Sequence, residues 1–439
     1  VRTVAFQTLG CKVNQTETAA LQALFAKAGY QTVAYGTCAD VYVINTCTVT
    51  QLSDRKSRQL IRRARRSSPD GLIVVTGCLA QVAPEEVLQL PEVDLVVGTH
   101  ARERLPELIL DAEKGRQNFV VPLHQKSRFE KLPAAQDSER TRAFLKVQEG
   151  CRQYCSYCIV PYARGPLCSL PLTEAVTEAE RLAVEGYKEL VLTGVHLGSY
   201  GLDFPEGKAL LGDLLKELAA IEGIMRIRLS SIEPTDITPH LVETLLSCRK
   251  ICRQLHIPLQ SGDDEILRRM NRRYDASEFL YLARWLRAAI PGLTLTTDVM
   301  AGFPGETEEK FAHTLELIRL CGFSRLHIFK YSPRRGTPAA GFPEQIPPAV
   351  KEERSKRLRE LALELATCFQ ESFIGKTVEV LFEEEAGRGR LAGLTEHYLR
   401  VTAKATMAWC GKPATVRVLG RHRDGLYGEI TGIPEMPGD

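Results

Sequence analysis

The chain has 439 residues, of which 44% are hydrophobic and 25% charged, with a formal net charge of +3. This composition excludes a disordered or fibrous chain, leaves room for two or three domains, and is too close to neutral to name a partner by charge alone. No run of eighteen apolar residues occurs, so no membrane span is expected; Val1 to Gln7 reads as strand rather than signal peptide, and the expected location is the cytoplasm.

Thirteen cysteines, an odd number where no export signal is expected, point to reduced thiols and metal ligation rather than a disulfide framework. The expected fold class is α/β. Residues 1–122 alternate strand-like and helix-like segments, the pattern of an open parallel sheet covered by helices. Three strands are expected here: Thr3 to Leu9, Val41 to Ile44 and Leu72 to Val75. Each runs directly into a cysteine turn, at Cys11, Cys47 and Cys78. The carboxyl ends of strands in such sheets line one ligand crevice, so the three thiols should converge. One such cysteine alone would be a small buried residue in a turn. Three in equivalent places favour the ligand set of an iron-sulfur cluster with one iron left open over three buried turn residues. Cys38 precedes its strand and is expected simply to be buried.

The segment from Asp54 to Arg66 holds seven basic residues. At about 100° per residue, Arg55, Arg58, Arg62, Arg65 and Arg66 share one arc of a helix, while Leu60, Ile61 and Ala64 can face the sheet. That ridge is either a contact for a phosphate backbone or a solvated helix face. Residues 123–142 are poor in large apolar side chains, contain Pro133-Ala134-Ala135, and read as a linker.

From 143 to 349, six strands are expected: Phe144 to Gln148, Glu189 to Thr193, Arg226 to Ser230, Gln254 to Leu259, Leu293 to Met300 and Arg325 to Tyr331. Amphipathic stretches separate them, giving a partial (β/α)6 barrel whose reactive groups belong at the carboxyl ends of its strands. After the first of these strands stands Cys151-Arg152-Gln153-Tyr154-Cys155-Ser156-Tyr157-Cys158. Three thiols so close together suit a four-iron cluster with an open iron. The alternatives are a zinc site, for which Cys168 is the available fourth ligand, or a disulfide pair with a spare thiol. Gly194, Ser231, Glu233, Gln260 and Asp298 fall at other strand ends, where they offer close backbone approach, hydroxyl, carboxylate and amide groups to a ligand. His256 and His327 lie within strands and need no chemistry to explain them. Cys248 and Cys252 lack a third ligand.

Residues 350–372 form a charged bridging helix. Beyond it, strands at Thr377 to Phe382, Tyr398 to Ala403, Ala414 to Leu419 and Leu426 to Thr431 suggest a small barrel of the oligonucleotide-binding type in residues 373–439. Its overall charge is nearly balanced, with Arg417, Arg421 and Arg423 as a possible basic patch.

In this order, two three-cysteine sets, a six-unit barrel and a terminal β-domain resemble the radical S-adenosylmethionine (SAM) methylthiotransferases over essentially the whole chain. The stretches Leu9 to Gln15, Asn45 to Thr50 and Asp54 to Gln59 are most similar to the branch that modifies N6-threonylcarbamoyladenosine in tRNA. Sister branches act on isopentenyladenosine or on a ribosomal protein. A non-catalytic iron-sulfur RNA-binding protein is the alternative from another class. The resemblance implies an auxiliary 4Fe-4S cluster on Cys11, Cys47 and Cys78, and a SAM-cleaving 4Fe-4S cluster on Cys151, Cys155 and Cys158. It implies SAM near Gly194, Ser231, Glu233, Gln260 and Asp298, and no catalytic side chain beyond the cluster ligands. The basic ridge and a terminal TRAM-type β-barrel would hold the tRNA anticodon arm. The implied partners also include a reducing protein such as a flavodoxin or ferredoxin and an unidentified sulfur donor, with no membrane. One departure stands out: after Tyr162 to Pro166, relatives carry an Arg-Ser-Arg-like run, whereas this chain has Leu167-Cys168-Ser169-Leu170.

Overall fold

The structure is a computed structural model and describes residues 1–112, 115–125, 128–132, 141–205, 209–387, 389–422 and 425–434. Its first sheet has six parallel strands in the order Gln31–Val33, Thr3–Thr8, Val41–Thr46, Leu72–Gly77, Leu95–Val97 and Gln117–Phe119. The near-continuous apolar runs of its central strands follow from burial on both faces. Val41, Val43 and Val74 pack with Leu21 and Phe25 on one side. Tyr42, Ile44, Ile73 and Val75 meet Ile61 and Ala64 on the other.

Six more parallel strands build the partial barrel: Arg142–Glu149, Glu189–Gly194, Arg226–Leu229, Gln254–His256, Thr294–Ala301 and Arg325–Lys330. Bridges between Ile227 and Ile251 and between Ser231 and His256 join the first three to the last three. The two-residue strand Cys168–Ser169 pairs antiparallel with the first strand. Alternation sets the two faces: Ala143, Leu145 and Val147 enter the core under the helices. Lys146, on the other face, reaches across to Glu17 of the first helix at 2.8 Å. On the far side of the barrel, Arg334 pairs with Asp54 at 2.5 Å. The amino-terminal sheet therefore lies across the barrel from its first strand to the segment after its last.

Parts of the expected linker are packed. Phe129 joins the barrel core and Glu130 is buried. Pro133-Ala134-Ala135 lie outside the described residues. Cys38 is exposed, contrary to expectation; it lies in the irregular stretch ahead of its strand, its Sγ 3.4 Å from Ser68 Oγ.

Helix Pro348–Glu371 leads to a closed five-stranded barrel in the order Thr377–Glu385, Arg390–Thr395, Arg400–Lys404, Gly425–Gly432 and Pro413–His422. The barrel docks on Arg142 and Arg226, which begin strands, and on Arg228 two residues further on. Arg226 donates to Leu394 O at 3.2 Å, Arg228 to Thr395 O at 3.0 Å, and Arg142 pairs with Glu383 at 2.6 Å. In a parallel sheet this is the rim opposite the strand carboxyl ends. Arg417 is exposed, Arg421 is tied to Glu371, and Arg423 lies outside the described residues. No described helix is long and apolar enough to cross a membrane.

Candidate functional site

Cys11, Cys47 and Cys78 each follow a strand of the first sheet, and the backbone there is shaped to bring them together. Gly10 has φ +116°, and a Cβ on it would come within 3.0 Å of Cys47 Cβ. Gly77 has φ +93°, and a Cβ on it would meet Thr46 O at 2.5 Å. Only glycine allows these approaches. Asn14 fastens the turns by donating to Leu9 O at 2.7 Å and Thr46 O at 3.0 Å. Cys47 and Cys78 are buried and Cys11 is exposed, so the set opens on one side. Burial pushes the Cys78 thiol up to about 11; Arg164 opposes the shift, while Cys11 and Cys47 add to it.

Arg164, for which spacing and pattern suggest no role, joins this set to the barrel. Its Nε donates to Cys78 Sγ at 3.3 Å, Nη1 to Glu149 Oε1 at 2.9 Å, and Nη2 to Asn14 Oδ1 at 2.6 Å and Glu17 Oε2 at 3.0 Å. Glu17 also accepts from Arg102 at 2.9 Å and Lys146 at 2.8 Å. Burial by itself would raise the Glu17 carboxyl, yet Arg102, Arg164 and Lys146 hold it well below the usual carboxylate range. Buried charges persist only when paired and hydrogen-bonded in this way.

The Cys151 to Cys158 loop follows the first barrel strand and is held by the end of helix Asp264–Arg269. Ser156 N donates to Met270 O at 3.0 Å, and Asn271 Nδ2 donates to Gln153 O at 3.2 Å and Tyr154 O at 3.0 Å. Arg272 donates to Cys155 Sγ at 3.4 Å and pairs with Glu233. Gln153 N donates to Cys151 Sγ at 3.4 Å. Burial raises the Cys155 thiol against the pull of Arg272, and pushes Cys158 up to about 12.

Both sets suit a metal centre by donor chemistry. Cys47, Cys78 and Cys155 are buried, guanidinium groups donate to Cys78 and Cys155 and a backbone N–H to Cys151; such donors stabilise anionic sulfur, and a bound metal deprotonates thiols that burial alone keeps neutral. All thirteen cysteines are free. Cys168 packs partly against the barrel core, between buried Leu167 and Leu170. Of the two positions where the resemblance implies cations, Leu170 is buried and Cys168 partly buried.

The rim residues divide. Glu233 is engaged by Arg272, while Ser231 and Gln260 line the strand ends. Ser230 Oγ is buried and has no partner among the described residues, an opening for a polar ligand. Gly194 is explained by packing, since a Cβ there would meet Gln148 Oε1 at 3.0 Å. His256 and His327 are not core residues. They face Asp298 Oδ1 at 3.1 and 3.3 Å, and despite burial they hold that carboxyl down to about 2.

The basic ridge also divides. Helix Gln51–Ser67 buries Ser57, Ile61 and Ala64. Arg65 turns back to Asp94 at 2.5 Å and to the carbonyls of Pro69, Gly71 and Glu92, so it is a structural clasp. Arg58 pairs with Glu86 at 3.4 Å and Arg62 loosely with Glu92 at 3.8 Å. Arg55 and Arg66 are exposed without an ion-pair partner among the described residues.

Residues 3–98 match a family described as uncharacterized protein family UPF0004, and residues 145–318 match the radical SAM superfamily. The chain is 45% identical to a threonylcarbamoyladenosine tRNA methylthiotransferase MtaB of Bacillus subtilis (strain 168), over 95% of this chain and 94% of that one. The MtaB of Thermotoga maritima is 38% identical over 91% of each chain. A tRNA-2-methylthio-N(6)-dimethylallyladenosine synthase of Bacillus pumilus is 36% identical over 97% of this chain and 85% of its own. Among solved structures, the radical SAM methyltransferase TsrM from Kitasatospora setae shares the fold, with TM-score 0.58, 16% identity and 77% of each chain covered. At 45% identity along nearly its whole length, over residues that carry both cysteine sets, the chain belongs to the radical SAM methylthiotransferase family.

Proposed function

We propose that the protein transfers a methylthio group to C2 of N6-threonylcarbamoyladenosine, the adenosine on the 3' side of the tRNA anticodon. The relatives of highest identity described above carry that substrate in their names. The cofactors of the family are SAM and 4Fe-4S clusters. We assign the auxiliary cluster to Cys11, Cys47 and Cys78, and the SAM cluster to Cys151, Cys155 and Cys158. Ser231, Glu233, Gln260 and Asp298 would border SAM. Residues 1–122, 143–349 and 373–439 are taken as the three working units.

When bound, the cofactors would supply radical chemistry at C2 and the methyl group, with the sulfur coming from the unidentified donor. The chain contributes position and a dry environment. Asn271 and Arg272 fix the loop of the SAM cluster, and Asn14 fixes the turns of the other. Arg164 ties Cys78 of the first set to Glu149 at the end of the first barrel strand. A base reaching this mouth must leave its stack, at a cost of about a few kcal/mol that is smaller in a loop than in a duplex. Arg55, Arg62 and Arg66 are available to the RNA backbone. The C-terminal barrel docks on Arg142, Arg226 and Arg228, and Lys12, next to Cys11, reaches its Tyr398 ring at 5.5 Å.

The observation that carries this reading is the shared side chain: Arg164, in the segment following the second cysteine set, donates to Cys78 of the first. Mass spectrometry of tRNA nucleosides tests it. Cells lacking the protein should retain unmodified N6-threonylcarbamoyladenosine and regain its 2-methylthio derivative on complementation. An unchanged 2-methylthio level in cells lacking any second such enzyme would refute the reading.

A further inference from the structure

Two tyrosines at the mouth belong to neither the core nor a cysteine set. Tyr154, between Cys151 and Cys155, is 50% exposed, and Tyr162, on helix Val160–Arg164, is 41% exposed. Their rings meet edge to face, with centroids 6.0 Å apart. By contrast, Tyr157 of the same loop packs on Phe303, and Tyr200 and Tyr274 are buried with their hydroxyls donated to carbonyls.

Tyr154 has φ +47°, a left-handed conformation that bulky residues avoid. The strain is imposed from outside, by Asn271 on the carbonyls of Gln153 and Tyr154 and by Ser156 Oγ on Arg269 O at 2.7 Å. Such strain, held by surrounding structure, marks functional positions. Here its effect is to keep an aromatic face in solvent beside a cysteine that would hold metal.

Location and charge identify the occupant. The helix carrying Tyr162 packs against helix Cys78–Val82, so the pair stands between the two cysteine sets. Arg152, in the same loop, is exposed and has no acidic partner among the described residues. Aromatic faces beside a cation suit single-stranded RNA, whose bases stack on tyrosine while the cation meets phosphate. Lifting a target base out of its strand also exposes the faces of its neighbours.

We propose that Tyr154 and Tyr162 form a stacking platform for the nucleotide flanking the target adenosine, with Arg152 on its phosphate. This rests on the RNA substrate proposed above. The probe is an anticodon stem-loop carrying N6-threonylcarbamoyladenosine, with 2-aminopurine placed at each flank in turn, added to the cluster-loaded full chain.

The wild type should quench the fluorophore at one flank. Tyr154→Leu with Tyr162→Leu should abolish that quenching and weaken Kd on the order of ten-fold. Tyr154→Phe and Tyr162→Phe should preserve both, because the ring face remains. Iron content equal to wild type shows that the loop is intact; Tyr162→Leu alone, outside the cysteine loop, serves if the double variant loses iron. Leucine variants that quench and bind like wild type overturn the platform, as do phenylalanine variants that fail equally. If the wild type forms no 2-methylthio product on the fluorophore-free stem-loop, the substrate reading fails instead.

Discussion

Arg164 concentrates the residue-scale logic of the site. Its guanidinium is buried among Glu17, Glu149, Asn14 and Cys78, and these partners come from both halves of the molecule. Removing one member of a buried ion-pair network leaves the others uncompensated. Arg164→Ala should therefore lower the unfolding free energy by about 3–5 kcal/mol, measured by urea denaturation. Arg164→Lys keeps the charge but cannot reproduce the planar fork, so it should recover only part of that loss. A variant as stable as wild type would show that the network contributes nothing. The cysteines are legible in the sequence because spacing and strand-end position are local properties. Arg164 and Glu17 are not, since a charged residue is ordinarily solvated and their burial arises only when distant segments close on each other. His256 and His327 pass for pleat residues in the sequence for the same reason, because Asp298 meets them across three strands.

At the scale of elements, length decides what can be read. Helices such as Ala276–Ala289 have enough turns to show one apolar face, and the long strands show their patterns. Strands of two or three residues, such as Gln31–Val33, Leu95–Val97 and Cys168–Ser169, have too few positions for any period to appear. Helix Gln51–Ser67 stands where its pattern puts it, but its arginines do different things. Glutamate at Arg55, Arg62 and Arg66 together should weaken tRNA binding and flatten its salt dependence, by about 0.7–0.9 of slope for each phosphate no longer neutralised. Arg65→Ala should instead lower thermal stability and leave the salt slope unchanged, because its bonds are made to Asp94 and backbone carbonyls. Equal salt effects from both variants would return the whole ridge to a solvated face.

The whole molecule is organised around a division between two rims. Parallel strands deliver both cysteine sets to carboxyl ends, while Arg142 and Arg226 at strand starts, together with Arg228, hold the C-terminal barrel. The sequence reveals each unit and its order, since each has its own periodicity. It does not reveal how the units dock, because docking runs through charged residues whose partners lie in other units. Beyond the ion pairs that join them, the first sheet and the barrel share one chemistry only if both cysteine sets serve one reaction. The most direct test reconstitutes wild type and the Cys11→Ala, Cys47→Ala, Cys78→Ala triple variant anaerobically, then supplies SAM, a reductant and a stem-loop carrying N6-threonylcarbamoyladenosine. Iron, 5'-deoxyadenosine and RNA nucleosides are measured together. The variant should hold about half the iron and still release 5'-deoxyadenosine, yet form none of the 2-methylthio nucleoside made by wild type. Undiminished iron and continued 2-methylthio formation in the variant would contradict the account.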